Sequence, residues 1–284
     1  MRERSGYSLI RFVITSAKRT GTLLMLRTGS RTLREIREAT GSSSSGIIPQ
    51  LRLMEEKGLI LRRSSEYELT DTGRLIAEHL HRSLRMADLI VGDADFWNSH
   101  DISAIPEDFR MRLYDIGNYR VITAAGSDVL MIHREYIDKI KNSAWILDVC
   151  PVFHPEYLRD IVKLADDDRY ISLIITESVL SRVVEHGEDT LAEALEHPGV
   201  DMRICRNAGV GLTVTESMFT MMLPLKTGLP DFYTRIISLE CSAVRFGMEL
   251  YLHHEANSYP LKHPHGRSTC LPEALTCSAP QHPG

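Results

Sequence analysis

Apolar side chains in the first third of the chain recur at helical spacing, and the breaks between them fall on glycine and serine. Leu23, Leu24 and Leu26 predict a short helical segment over residues 16–27, ended by Gly29. Thr32-Leu33-Arg34-Glu35 is an S/T-x-x-E capping box, in which each end residue satisfies a backbone donor of the other. It opens a helix that puts Leu33, Ile36 and Thr40 on one face and stops at Gly41. The serines at 42–45 and Gly46 lead into a second helix with Ile47, Leu51 and Met54 as its buried face, closed by Gly58. A short helix, a tight glycine-containing turn and another helix make a helix-turn-helix. Leu59–Arg63 then reads as a strand, Ser64-Ser65-Glu66 as a turn and Tyr67–Leu69 as the returning strand. Thr70 caps a long helix that carries Leu75, Ile76, Leu80, Leu84 and Ala87. Pro49 conflicts with the second helix, because proline lacks the amide donor and clashes with the preceding turn. The conflict eases if that helix starts at Ser45 or Gly46, which leaves Pro49 in its first turn.

The string L-x-x-M-x-x-x-G-L-I from Leu51 to Ile60, followed by Y-x-L-T-x-x-G from Tyr67 to Gly73, resembles the winged helix-turn-helix of archaeal and bacterial regulators. The resemblance implies that the second helix enters a DNA major groove and that the hairpin is the wing. The candidate DNA-contacting residues are then Ser43, Ser44, Ser45, Ile48, Pro49 and Arg52 at and after the helix start. Arg62, Arg63, Ser64 and Ser65 on the wing would meet phosphate or the adjacent minor groove. Arg34, with Arg31 and Arg37, would add phosphate contacts from the preceding helix.

Charge agrees with that division of labour. Residues 1–85 hold 16 Lys/Arg against 9 Asp/Glu, and the remainder 17 against 29, within a total net charge of −5. A basic block joined to an acidic body is the footprint of a chain in which one domain meets nucleic acid. Few aromatic residues stand in the basic block to stack unpaired bases, which argues for double-stranded DNA over RNA.

Beyond residue 88 the pattern changes to apolar strands alternating with helices. Trp145–Val149, Ile171–Thr176, Asp201–Cys205 and Gly211–Thr215 read as strands, with helices at Pro155–Ala165 and from Glu177. Met218–Leu225 and Phe232–Leu239 form a hairpin about Lys226-Thr227-Gly228, and an amphipathic helix spans Glu240–His254. The fold expected is therefore two domains, a winged helix-turn-helix and an α/β unit with a mixed sheet. Phe96-Trp97-Asn98-Ser99-His100-Asp101 followed by Ile105-Pro106, with YDIGNY, VFHPEY and ISLECSAVRFGMELY, resembles the archaeal regulators named for control of cell filamentation. That resemblance runs to about Asn257 and implies a transcription regulator with a signal-responsive C-terminal domain. The order of elements also resembles a phospholipase-D-like half-domain, yet the H-x-K motif of the active enzymes occurs nowhere in the chain. The fold would then serve binding rather than catalysis.

Phe96, Trp97, His100, Asp101, Ile105 and Pro106 are the candidate effector or junction residues. Phe96 and Trp97 are expected to pack, and His100 and Asp101 to form a buried pair that fixes the linker. His253-His254-Glu255 and Asp166-Asp167-Asp168 lack a matching partner set for metal, since adjacent side chains on a helix diverge by ~100°. The five cysteines have no C-x-x-C spacing and read as reduced thiols. No catalytic residue, metal or cofactor is predicted. Apolar residues at 43% and charged residues at 25% suit a globular chain, and no apolar run reaches the roughly 18 residues of a membrane span. No small-residue cleavage site follows the N-terminal apolar stretch, so a cytoplasmic location is expected. Residues 258–284 hold five of twelve prolines and are expected to be a disordered tail, after domains at 1–85 and 86–257. The partners expected are double-stranded DNA, a small-molecule effector and a second copy of the chain. The alternative is a small-molecule or phosphodiester hydrolase with the winged helix as an accessory partner-binding module.

Overall fold

Leu23, Leu26, Ile36, Ile47, Leu51 and Met54 come from three successive helices and meet in one buried cluster. A computed structural model places them, and it describes residues 5–123, 140–153, 156–165, 169–231 and 233–261. The chain divides into two units, Met1–Ala87 and Asp88–Gly284.

In the first unit, α1 (Ser5–Ile14), α2 (Ala17–Leu26), α3 (Leu33–Thr40) and α4 (Ser44–Glu56) precede a three-stranded antiparallel sheet. Its strands β1 (Arg31–Thr32), β2 (Ile60–Arg63) and β3 (Glu66–Leu69) lie in the order β1-β3-β2. The long helix α5 (Asp71–Gly92) follows. The capping box forms as the sequence predicts, with Glu35 Oε2 accepting from the Thr32 N–H at 2.7 Å. That backbone bond and the Thr32 hydroxyl hold the Glu35 carboxyl below its ordinary range. Gly41 ends α3 in the left-handed conformation, at φ +59°. Thr70 Oγ1 donates to the Gly58 carbonyl (2.6 Å) and accepts from the Gly73 N–H (2.9 Å), which joins the start of α5 to the end of α4. Gly73 has a steric reason: a Cβ there would lie 1.8 Å from the Leu59 carbonyl oxygen.

Three sequence expectations need correction in this unit. Helix α1 was not expected; its Val13 is buried in the core and Leu9 and Phe12 are half-buried against it. Tyr7, Ile10 and Ile14 of the same helix are exposed. Strand β1 has two residues, too few to show alternation, and is defined only by pairing Arg31 with Tyr67. The late start of α4 is also wrong. Ser43 is the N-cap, its hydroxyl accepting from the Gly46 N–H at 3.2 Å, so Pro49 lies in the second turn. The missing donor leaves the Ser45 carbonyl without its i+4 partner there.

In the second unit α6 (Ala94–Ser99), a 3₁₀ turn at Ile102–Ala104, α7 (Glu107–Arg110) and another 3₁₀ turn at Leu113–Ile116 precede β4 (Arg120–Thr123). The sheet then takes β5 (Trp145–Cys150), β6 (Tyr170–Thr176), β7 (Val200–Cys205), β8 (Gly211–Val214), β9 (Phe219–Met222), β10 (Thr234–Ser238) and β11 (Tyr259–Pro260). Their order is β11-β7-β6-β5-β8-β9-β10-β4. β5, β6 and β7 are parallel, and the other pairings are antiparallel. The sheet is mixed because α8 (Tyr157–Ala165) and α9 (Glu177–Glu196) are crossovers between parallel strands, whereas β7, β8, β9 and β10 follow one another without an intervening helix. Ile146, Ile171, Leu173 and Met202 pack under α8 and α9 in one core. On the other face α10 (Cys241–Ala256) sets Phe246 edge-on to Phe219, with ring centroids 5.8 Å apart. The expected disorder is corrected at its start, because Tyr259 and Pro260 pair with Ile204 and Arg203 and Leu261 donates to the Met202 carbonyl. The remainder of that tail, Asp166-Asp167-Asp168, Pro155 and Phe232 lie outside the described residues.

His254 on α10 is buried, and burial pushes its pKa down to about 4 from an ordinary 6.5. Between those values the unfolded chain binds the proton and the folded chain does not, so stability rises with pH through this window. The prediction is a melting temperature that falls as pH drops from 6.5 to 4, with a smaller fall in His254→Gln. Both tryptophans, Trp97 and Trp145, lie in the second unit, so fluorescence-detected melting reads this unit selectively. Equal slopes for wild type and variant would remove His254 as the cause.

Candidate functional site

The first candidate surface is built on α4. Ile47, Leu51 and Met54 are buried, which turns Ser43, Ser45, Pro49 and Arg52 to solvent, with Ser44 half-buried. Ile48 departs from the expected face, since it is half-buried and packs on the core. The Ser43 and Ser45 hydroxyls lie 3.1 Å apart beside the helix N-terminus, where backbone N–H groups carry partial positive charge. Arg52 is exposed and makes no hydrogen bond or ion pair among the described residues.

The hairpin arginines are held differently from one another. Arg63 pairs with Glu68 at 2.7 Å, whereas Arg62 donates to the Ser64 carbonyl (3.2 Å) and lies 5.7 Å over the Tyr67 ring. Ser64 and Ser65 form the two-residue turn, with Ser64 at φ +53°. Arg34 is taken up by Glu38 at 2.8 Å, one turn along α3. A carboxylate neighbour lowers the positive potential of a guanidinium, so Arg52 and Arg62 are the stronger cationic positions on this surface.

Lys18 and Arg19 were missed. Lys18 Nζ approaches α4 so closely that a Cβ at Gly46 would lie 2.8 Å from it. Arg19 donates to the Phe12 carbonyl (2.6 Å), to Gln50 Oε1 on α4 (2.7 Å) and to Thr15 Oγ1 (3.2 Å), and stands 4.2 Å over the Phe12 ring. The signal available was the basic pair directly after the Ser16 cap, which apolar periodicity does not register.

The second candidate region surrounds His100. Phe96 and Trp97 are buried as expected, ring edge to face at 5.1 Å. Trp97 Nε1 donates to the Leu89 carbonyl (3.0 Å) and the Tyr119 hydroxyl (2.8 Å). Burial pushes the Tyr119 phenol up to about 12, so it stays a neutral donor, and it too donates to Leu89 (2.7 Å). The expected His100–Asp101 pair is corrected. His100 Nε2 meets Asp231 Oδ2 at 3.1 Å, with both side chains buried. Asp101 instead caps the 3₁₀ turn, accepting from Ser103 N (2.9 Å) and Oγ (2.5 Å). Adjacent side chains of an extended segment point to opposite sides, so one ring cannot easily turn back to its neighbour's carboxylate. Burial pushes the Asp231 carboxyl up, but hydrogen bonds from Thr234, Tyr233 and His100 bring it below its ordinary range. Ile105 is fully buried, and Pro106 precedes α7 as its N-cap.

Two cavities open on Asp231. One, of about 480 Å³, is lined by Asp93, Asp95, Phe96, His100 and Thr234 among others. The other, of about 380 Å³, is lined by Pro151 and Val152 after β5, Asn207 and Gly209 between β7 and β8, and Asp101. At this second place the chain leaves β7 and returns on the far side of β5, a topological switch in strand order. Open α/β sheets bind ligands at such points, outside the carboxyl ends of the strands. Trp97, Ile105 and Pro106 line neither cavity, so the expected junction residues separate into packing residues and wall residues. Among the described residues, no group of three His, Cys, Asp or Glu side chains is placed to share a metal ion. None of their helices is long and apolar enough to cross a membrane.

Comparison with known proteins gives the family. The model of the N-terminal domain of the methanogenesis regulatory protein FilR1 matches residues 7–88. The model of its middle domain matches residues 130–257. The chain belongs to this family of archaeal regulators. FilR1 of Methanothrix harundinacea (strain 6Ac) is 25% identical over 266 residues, 92% of this chain and 60% of that protein. The chain therefore spans three-fifths of that relative's length. Among solved structures, the archaeal chromatin protein TrmBL2 is similar at 12% identity and a TM-score of 0.42, over 86% of this chain and 94% of that one. The phospholipase D family member Nuc from Salmonella typhimurium is similar at 9% identity and a TM-score of 0.37, over 51% and 99%. Both likenesses are too distant to carry fold or function.

The reassigned pair makes a direct prediction. His100→Ala leaves Asp231 buried without its ring partner and should lower the stability of the second unit by about 3 kcal/mol. Asp101→Ala loses only an exposed cap and should cost much less. Urea unfolding followed by tryptophan fluorescence measures both, and the reverse order of effects would return the pairing to Asp101.

Proposed function

We propose that this chain is a DNA-binding transcription regulator: a winged helix-turn-helix, residues 1–85, controlled by an effector-sensing α/β domain, residues 86–257. The observation that carries the reading is α4. It is seated by Ile47, Leu51 and Met54, capped by Ser43, and presents an unpaired Arg52 from a block with a net positive charge. A helix so placed can enter the major groove, where arginine pairs with guanine and serine bonds base or phosphate. The antiparallel hairpin of β2 and β3 serves as the wing, with Arg62, Ser64 and Ser65 toward the backbone. The similarity to the domains of a regulatory protein supports this reading over the hydrolase alternative.

The second domain is read as a phospholipase-D-like sheet that has kept a binding role, since the H-x-K motif is absent. Its two cavities are the candidate effector sites. A ligand there shifts the DNA-bound arrangement only if it binds one arrangement more tightly than the other. The active species is a cytoplasmic homodimer on a pseudo-palindromic site, because one recognition helix offers few base contacts. Exposed Leu75 and Leu84 on α5 belong to the candidate contact.

Operator fragments recovered by a genome-wide binding map are the probe for titrations with the full chain. Arg52→Ala should cost roughly 1–3 kcal/mol and relax preference at one base position. Arg62→Ala should weaken all sequences alike and flatten the salt dependence. Arg63→Ala should do so less, because Glu68 already neutralises that guanidinium. Unchanged titrations across the series, with light scattering that shows a monomer, would move the DNA face and the assembly elsewhere.

A further inference from the structure

The cavity at the sheet's switch point has a lining that selects by hydrogen-bond polarity. Asp101 and Asp231 contribute carboxylates, both held ionised below the ordinary range by the hydrogen bonds described above. Asp101 Oδ1 is occupied by Ser103, while Oδ2 has no hydrogen bond among the described residues. Pro151, Pro224 and Pro230 stand in the same wall and bring no amide donors to it, and the Pro224 carbonyl accepts from the Asp101 N–H at 2.8 Å. Among the described lining residues there is no Lys or Arg. Arg110 and Lys226 act on Asp101 from outside the lining. Asn207, also in the lining, accepts from the Gly209 N–H at its side-chain oxygen (3.0 Å), so its amide nitrogen is the side-chain donor it can offer. The wall is thus rich in acceptors, poor in donors and negative, around a volume that suits a small metabolite.

We propose that this cavity binds a small molecule that donates hydrogen bonds and carries no negative charge, either a polyhydroxyl compound or an organic ammonium. The proposal rests on reading the α/β unit as the sensing part of the regulator. An anion would meet two carboxylates and three prolines where it needs N–H groups, and losing its hydration unanswered is costly. A hydroxyl or ammonium group finds Asp101 Oδ2 as an acceptor, and Pro151 and Pro230 contribute apolar lining. The shared Asp231 links ligand binding to the buried His100 pair, and so to the Phe96–Pro106 segment.

The test uses the full chain and three matched six-carbon probes: sorbitol, 1,6-diaminohexane and adipate. Each is titrated calorimetrically into wild type and into Asp101→Asn, which keeps a capping side chain but loses the charge. The expected result is one-site binding of sorbitol or diaminohexane, weakened at least tenfold in the variant, and none of adipate. Sorbitol binding alone assigns the polyhydroxyl class, and diaminohexane binding alone the ammonium class. Adipate binding, or binding of the other probes unaffected by Asp101→Asn, overturns the proposal, as does binding of none. Operator titration without any probe tests the regulator reading separately, so failure of one is distinguishable from failure of the other.

Discussion

Asp231 is the carboxylate on which the second unit's site depends. A buried carboxylate is stable only when its lone pairs are answered, and this one is answered from several directions. The Tyr233 N–H donates at 2.7 Å, the Thr234 N–H at 3.2 Å, and the His100 ring at 3.1 Å. The other ring nitrogen of His100 lies 2.8 Å from the Phe96 carbonyl. One side chain thereby ties α6 to the connection between β9 and β10. Backbone bonds follow the same seam, with Asp101 N–H donating to Pro224 (2.8 Å) and Lys226 N–H to Ser99 (3.0 Å). The two cavities lie along this seam because Asp231 forms part of both walls.

In the first unit the comparable constraint is steric. Gly73 passes so close to Leu59 that any side chain would collide, and Thr70 bonds the carbonyls that end α4. The start of α5, the hairpin and the end of α4 are therefore positioned together. Arg19 holds the middle of α4 through Gln50 and the end of α1 through the Phe12 carbonyl. The surface that α4 presents is thus anchored at its middle and at its end. Pro49 lies on the exposed side of α4, so its ring faces solvent and the Ser45 carbonyl gives up its helical partner on that side.

The two units divide chemistry as they divide charge. Excess arginine lies in the unit whose exposed α4 suits phosphate and base edges, and acidic residues predominate where the cavities are. Family membership accords with this division. Polarity also separates the cavity at the switch point from a phosphate site, which would require lysine, arginine or free amides.

Local rules were legible in the sequence wherever one residue's chemistry decides a conformation. The Thr32–Glu35 box, the Gly41 stop, the Thr70 cap and the short apolar runs of the strands follow from side-chain hydrogen bonding, backbone freedom and burial on both faces of a sheet. The partner of His100 was not legible, because Asp231 lies 131 residues away and Asp101 stands beside it in sequence. Proximity along the chain suggested the wrong aspartate, and the sheet brought the right one. Helix α1 was passed over although Leu9, Phe12 and Val13 share its core face, and strand β1 was hidden because two residues show no alternation. The start of α4 turned on which of several adjacent serines caps it, a choice that the sequence leaves degenerate. Thus the sequence by itself determined where the capped helices of the first unit and the apolar strands of the second lie, and where charge resides. Only the tertiary structure decided which buried polar groups answer one another, since that depends on distances that no local pattern contains.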